Sequence, residues 1–181
     1  MMFTKTIGLA AAFASLASAL PSAVVRRDTT ASSGEVLITN TLDKDVYAWS
    51  VADQAGPMQT ISANGGTFTE KYRTNSNGGG ISIKLTTDQD QSDVLQFEYT
   101  QASNTIFWDL SCINMDTDSV FKKYGFSVEP TDNGGDDKSC PTASCKANDD
   151  SCQEAYLKPT DDHATHGCPI DTGLTVTIGH S

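Results

Sequence analysis

Basic charge is what this sequence has least of. It carries 12 lysines and arginines against 23 aspartates and glutamates, and three of the 12, Lys5, Arg26 and Arg27, lie in the first 27 residues. Without that leader, 9 basic residues face 23 acidic ones, a formal charge of −14. A surface of this sign repels nucleic acid and anionic membranes, so neither is expected as a partner. No segment sustains a helical period. No Asn-X-Ser/Thr triplet occurs and the C-terminus has no apolar tail, so neither N-glycosylation nor a lipid anchor is signalled. There is no GxSxG, and Cys112 has no histidine near it in sequence, so no hydrolase elbow and no thiol nucleophile is indicated. Neither an internal repeat nor a second domain is visible.

What is present begins with a secretory signal: Lys5, the apolar run Ile7 to Leu20, and the small-residue site Ala17-Ser18-Ala19. The run is too short and too rich in Ala and Ser to span a membrane. Behind it, Leu20 to Arg27 ends in the dibasic pair Arg26-Arg27. The expected organisation is a signal peptide at 1–19, a short propeptide at 20–27 cut after Arg27, and one domain at 28–181. A chain of that size can bury a real core.

From Gly34 onward, short alternating runs are separated by turn-forming clusters, the pattern of strands whose successive side chains face opposite sides. Strands are predicted at 34–39, 45–51, 67–72, 81–86, 94–100, 105–110, 123–130 and 173–179. Tyr47, Trp49 and Val51 share a face; Ile81, Ile83 and Leu85 alternate with Ser82 and Lys84; Leu95, Phe97 and Tyr99 oppose Glu98. Glycine clusters such as Asn75 to Gly80 supply the turns. The fold class is all-β, a sandwich or barrel.

Four of the five cysteines fall between Cys140 and Cys168, and four cysteines admit three pairings. An oxidising compartment accounts for them. Cys112, beside Ile113 in an apolar run, reads as a free thiol acting as a small hydrophobe. Within the cysteine-rich stretch, Asp161-Asp162-His163 and His166 are residue types that bind zinc or copper, but they sit between disulfide cysteines and no metal site is expected. The acidic run Asp88 to Asp93 fails as a calcium loop, with Asp93 where glycine is needed and Tyr99 where glutamate is. A copper oxygenase would need an N-terminal histidine, which neither expected cut exposes. No cofactor is expected.

The segment from Cys140 to Cys168 resembles the C-terminal part of thaumatin-like proteins, where a CxxxxC pair precedes a stretch of the form CPDAYSYAKDD…TCP. Cys152, Ala155, Tyr156, Asp161, Asp162, Cys168 and Pro169 coincide with it. GEVLITNTLDKDVYAWSV is similar to the family's opening, FEYT to its AEFTL, and FWDLS to its FYDISLVDGFN. The short middle is similar to the reduced fungal members, described as antigenic thaumatin-like or yeast-phase-specific proteins. The resemblance implies a thaumatin-like β-sandwich with a disulfide-stapled C-terminal loop region, and bridges Cys140–Cys168 and Cys145–Cys152. A family cysteine of the first turn, bonded to one near the C-terminus, is missing here together with its partner.

Family members with an acidic cleft carry one Arg, one Glu and three Asp there, and some hydrolyse β-1,3-glucan. By the resemblance, Glu98 and Asp109 hold two of these positions, the Asp161-Asp162 pair a third, Asn114 replaces an aspartate, and the arginine has no clear match beyond the distant Arg73. The expectation is a secreted, monomeric, non-catalytic protein. It is expected to bind cell-wall β-glucan or a host surface through a groove of Glu98, Asp109, Asn114, Asp161 and Asp162, in an adhesive, antigenic or virulence-related role. Trp49, Trp108 and Tyr156 are the aromatic candidates, with core packing the favoured reading of both tryptophans. The alternatives are an endo-β-1,3-glucanase using Glu98 and Asp109 as its carboxyl pair, and an effector engaging a host protein.

Overall fold

The computed structural model describes residues 30–32, 34–131 and 140–179. The expected signal peptide, the propeptide and the cut after Arg27 lie outside the described residues. Among the described residues there are eleven strands, the longer ones built on alternating apolar residues: β1 (Glu35–Asn40), β2 (Val46–Val51), β3 (Gln59–Ile61), β4 (Gly66–Lys71), β5 (Ile81–Thr86), β6 (Val94–Ala102), β7 (Thr105–Asn114), β8 (Phe126–Pro130), β9 (Ala143–Cys145), β10 (His166–Pro169) and β11 (Leu174–Ile178). One short helix, α1 (Val120–Tyr124), starts at Ser119, whose hydroxyl accepts from the Phe121 amide, and stops at Gly125, a positive-φ residue. The strand expected from Lys123 therefore begins only after Gly125. Strands β3, β9 and β10 have three or four residues each, too few for alternation to reveal them in sequence.

The strands make two sheets, ordered β4-β1-β11-β8-β9 and β10-β7-β6-β5-β2-β3. The only parallel pairing among them joins β1 to β11, with Ile38 opposite Val176. Their inner faces meet in one core that includes Val36, Ile38, Val128 and Val176 from the first sheet and Ile83, Leu85, Phe97 and Trp108 from the second. Two-sheet packing of this kind leaves the outer face of each sheet free for polar residues.

Two non-covalent devices close the end of the sandwich where the missing family bridge would lie. The Thr41 hydroxyl donates to the carbonyls of Ile178 (2.8 Å) and Gly179 (2.9 Å), joining the first turn to the last strand. Beside it the fully buried Asn40 amide donates to the carbonyls of Lys44 and Ile61 and accepts from the Leu42 amide. The C-terminal stretch is held by Cys140–Cys168 and Cys145–Cys152, with Cα separations of 4.6 and 5.4 Å. These are the pairs that the family resemblance implies. The first ties edge strand β10 of the six-stranded sheet to the segment entering β9 of the other sheet. Cys112 is unbonded and half-buried against the core, and burial pushes its thiol up to about 12 despite the opposing charge of Lys122, which leaves it unreactive at neutral pH.

Candidate functional site

Strand alternation decides which side chains reach solvent on the six-stranded sheet. Directly paired residues share a face, so the register places Val51, Ser82, Glu98 and Asp109 in one row running across β2, β5, β6 and β7. The adjacent row is Trp49, Lys84, Gln96 and Ser111. On the other side stand Thr100 and Phe107, the latter opposite Gly167 of β10. An open cavity of about 380 Å³ lies over this region, lined by Glu98, Asp109, Phe107, Ser82, Thr100 and Thr165 among others.

Glu98 and Asp109 are immediate cross-strand neighbours, a spacing at which like charges disfavour each other. The Oδ1 atom of Asp109 is enclosed and has no hydrogen-bond partner. Burial first, and the neighbouring Glu98 second, push the Asp109 carboxyl up to about 7. The Asp109 carboxyl therefore holds its proton well above the ordinary carboxylate range.

The remaining expected site residues are placed differently. Asn114 stands past a bulge in the β6–β7 pairing and is exposed; it joins the polar face by accepting from Gln96 Nε2 at 3.3 Å, and Gln96 in turn accepts from Ser82 Oγ at 3.1 Å. Asp161 is buried and holds a turn, its Oδ2 accepting from the Leu157 and Lys158 amides, both at 3.1 Å. It borders a separate cavity with Leu157, Lys158 and His163. Asp162 is exposed and reaches the Glu98 cavity only indirectly: Tyr156 Oη donates to it at 3.5 Å and lies 2.6 Å from Thr165 Oγ1. Thus the structure brings Glu98 and Asp109 together, links Asn114 and Asp162 at one remove, and leaves Asp161 out.

Arg73, its side chain 40% exposed, engages groups of the opposite face of the sheet. It sits 3.6 Å from Glu70 and donates to Ser50 Oγ at 2.8 Å, while Tyr99 Oη donates to Glu70 at 2.7 Å. The cation that the register puts on the carboxyl face is Lys84, one row from Glu98. Its alternation with Ile83 and Leu85 carried that signal.

The aromatic candidates also resolve. Trp108 is 1% exposed; it packs on Phe97 and His166 and donates from Nε1 to Cys168 Sγ at 3.1 Å. Trp49 is buried as well. Tyr156 stands at the cavity margin, joined to Thr165. The platform that sequence reasoning missed is Phe107, 43% exposed on the same face as Asp109. A Cβ at Gly167 would lie 3.3 Å from its ring, so the absence of a side chain there lets the ring lie across β10. The i, i+2 spacing of Phe107 and Asp109 on one strand was the available signal. His166, two residues before the bridged Cys168, packs against Trp108 with ring centroids 4.4 Å apart and planes tilted by 36°, its Nε2 3.8 Å from Glu154; burial lowers its pKa, against the pull of that carboxylate.

A two-sheet all-β sandwich whose C-terminal region is stapled by two disulfides fits the thaumatin-like class. The chain belongs to the family described as Bys1, Blastomyces yeast-phase-specific protein, whose sequence profile matches residues 10–180. It is 43% identical over 167 residues to the "Antigenic thaumatin-like protein" of Arthroderma benhamiae, covering 92% of this chain and 80% of that one. It is also 43% identical over 179 residues to the "Secreted thaumatin-like protein calA" of Emericella nidulans, covering 99% and 98%. Among solved structures, the protein elicitor MoHrip2 from Magnaporthe oryzae aligns with a TM-score of 0.63 at 22% identity, over 80% of this chain and 98% of that one. At that identity the likeness is one of fold. The protein is a secreted fungal thaumatin-like protein.

Proposed function

We infer that this secreted domain binds a cell-wall polysaccharide, β-1,3-glucan, through the cavity over Glu98, Asp109 and Phe107. The observation that carries the reading is the exposed Phe107 ring set beside a carboxyl pair on the solvent face of a rigid sheet. Sugar hydroxyls take hydrogen bonds from and give them to carboxyl groups, and the apolar face of a pyranose lies against an aromatic ring. Polyanionic glycans are disfavoured by the strongly acidic surface.

Hydrolysis is the second reading, and one observation favours it: a carboxyl that keeps its proton near pH 7 stands beside another, as a general acid stands beside a nucleophile. Against it, the acidic set that the family resemblance implies is incomplete, with Asn114 in place of one aspartate and Arg73 engaged with Glu70 and Ser50. Binding without turnover is therefore the conclusion.

The test is retention of the purified domain on insoluble β-1,3-glucan, chitin and cellulose, with released reducing sugar assayed in the same tubes. Selective retention on β-1,3-glucan without sugar release is expected, weakened roughly three- to tenfold in Phe107→Ala through loss of one stacking contact. Sugar release abolished by Glu98→Gln would establish the enzyme instead. No retention and no release would sink both and direct attention to a host protein partner.

A further inference from the structure

The Asp109 carboxyl is enclosed to a degree that simple sugar binding does not require. Its Oδ1 has no donor, and an enclosed carboxylate oxygen without a donor is costly as an anion and far less so when the group is protonated. Glu98 stands directly opposite it in the ladder. Among the described residues neither carboxyl has an ion-pair partner, since Lys122 pairs with Asp150, Lys158 with Asp161 and Lys71 with Glu35.

The other groups around Asp109 do not relieve it. From β5 come Ser82 and, one row away, Lys84; from β2 comes Val51. Thr165 lines the cavity just ahead of β10, its hydroxyl engaged with Tyr156, beyond which lies Asp162. His166 packs on Trp108 with Glu154 at 3.8 Å. Glu98 is the charge that acts on Asp109, and it acts to keep a proton in place.

We propose that Asp109 keeps its proton beside Glu98 and that this proton is part of the binding site. With it, Asp109 is a hydrogen-bond donor beside the Glu98 acceptor, a complement to two neighbouring hydroxyls of an uncharged glycan; without it, two like charges face the ligand with acceptors only. The chain thus captures neutral glycan in acidic surroundings and releases it as the pH turns alkaline. This rests on the glycan-binding reading above and adds its regulation. The carboxyl's value of about 7 puts the turning point near neutrality.

The test is calorimetric titration of the mature domain with soluble β-1,3-glucan from pH 5 to pH 9, with near-ultraviolet circular dichroism to verify folding throughout. If only the protonated pair binds, the dissociation constant is level below pH 6 and rises about tenfold between pH 6 and pH 8. Asp109→Asn, whose amide donates at every pH, gives a profile without that step. In Glu98→Gln the step moves to lower pH, because the neighbouring charge that raises the Asp109 carboxyl is gone; a step that stays in place would overturn the role given to Glu98. Carbon NMR titration of the wild-type side chain reads the same proton without ligand, and expects the Asp109 carboxyl to titrate near pH 7 and lower in Glu98→Gln.

Glycan binding that stays level from pH 5 to pH 9, or a step that persists in Asp109→Asn, would overturn the role of the Asp109 proton while leaving glycan binding intact. An Asp109 carboxyl that titrates near pH 4 would do the same. Failure to bind any glycan at any pH would remove the binding reading, and this proposal with it.

Discussion

Removing each disulfide separately tests how the C-terminal region supports the site. Cys140–Cys168 closes a sequence separation of 28 residues and Cys145–Cys152 one of 7. In the chain-entropy account the first is worth about 3.6 kcal/mol and the second about 2.4 kcal/mol at room temperature. For a domain of this size, 1 kcal/mol corresponds to roughly 2–4 °C. Cys140→Ser/Cys168→Ser should therefore lower the melting temperature by about 7–14 °C and Cys145→Ser/Cys152→Ser by about 5–10 °C. The two should separate more sharply in binding. The longer bridge anchors β10, which carries Gly167 beneath the Phe107 ring, and Thr165 of the cavity wall immediately precedes that strand. The shorter one closes only the loop after β9. Thermal unfolding followed by circular dichroism, with glucan retention measured well below both midpoints, reads both effects. A reversed order of melting temperatures would refute the loop-closure argument. Equal loss of binding in the two variants would refute the anchoring role of β10.

Three further outcomes are expected. Asn40→Ala should cost about 2–4 kcal/mol in urea unfolding, because it strips the buried Ile61 carbonyl and Leu42 amide, and the part-buried Lys44 carbonyl, of their partner at once; a loss under about 1 kcal/mol would mean that water replaces the amide. Gly173→Ala should destabilise by about 1–3 kcal/mol, since its Cβ would lie 2.3 Å from the Ser32 carbonyl oxygen and 2.7 Å from Thr131 Oγ1, and an unchanged unfolding midpoint would show that this crossing is loose. Asp109 makes stability depend on pH: its folded value is raised, so the native state binds the extra proton, and stability present below the ordinary aspartate range declines as pH rises toward about 7. Subtracting the Asp109→Asn profile isolates this from His166, whose lowered value acts in the opposite sense as pH falls; identical wild-type and variant slopes from pH 4 to pH 7 would refute it.

Much of this was legible in the chain because strand faces are a local property. Alternation alone sorted Ile81, Ile83 and Leu85 from Ser82 and Lys84, and Phe97 and Tyr99 from Glu98. The same rule applied to TIFWDL places Phe107 with Asp109 and Trp108 in the core. Composition and the leader gave the compartment, and the cysteine spacing, through the family resemblance, gave the bridges.

What tertiary structure alone decided is who stands opposite whom. The ladder made Glu98 and Asp109 neighbours, sent Arg73 to Glu70 and Ser50, and put Lys84 on the carboxyl face. It also separated two adjacent aspartates, Asp161 into a turn and Asp162 toward Tyr156. The first and last strands pair in parallel, Ile38 against Val176, across nearly the whole domain. Such pairings depend on closing long loops and burying one shared core, energies to which every strand contributes. Local periodicity assigns a residue to a face, and only the assembled sheets assign it a partner.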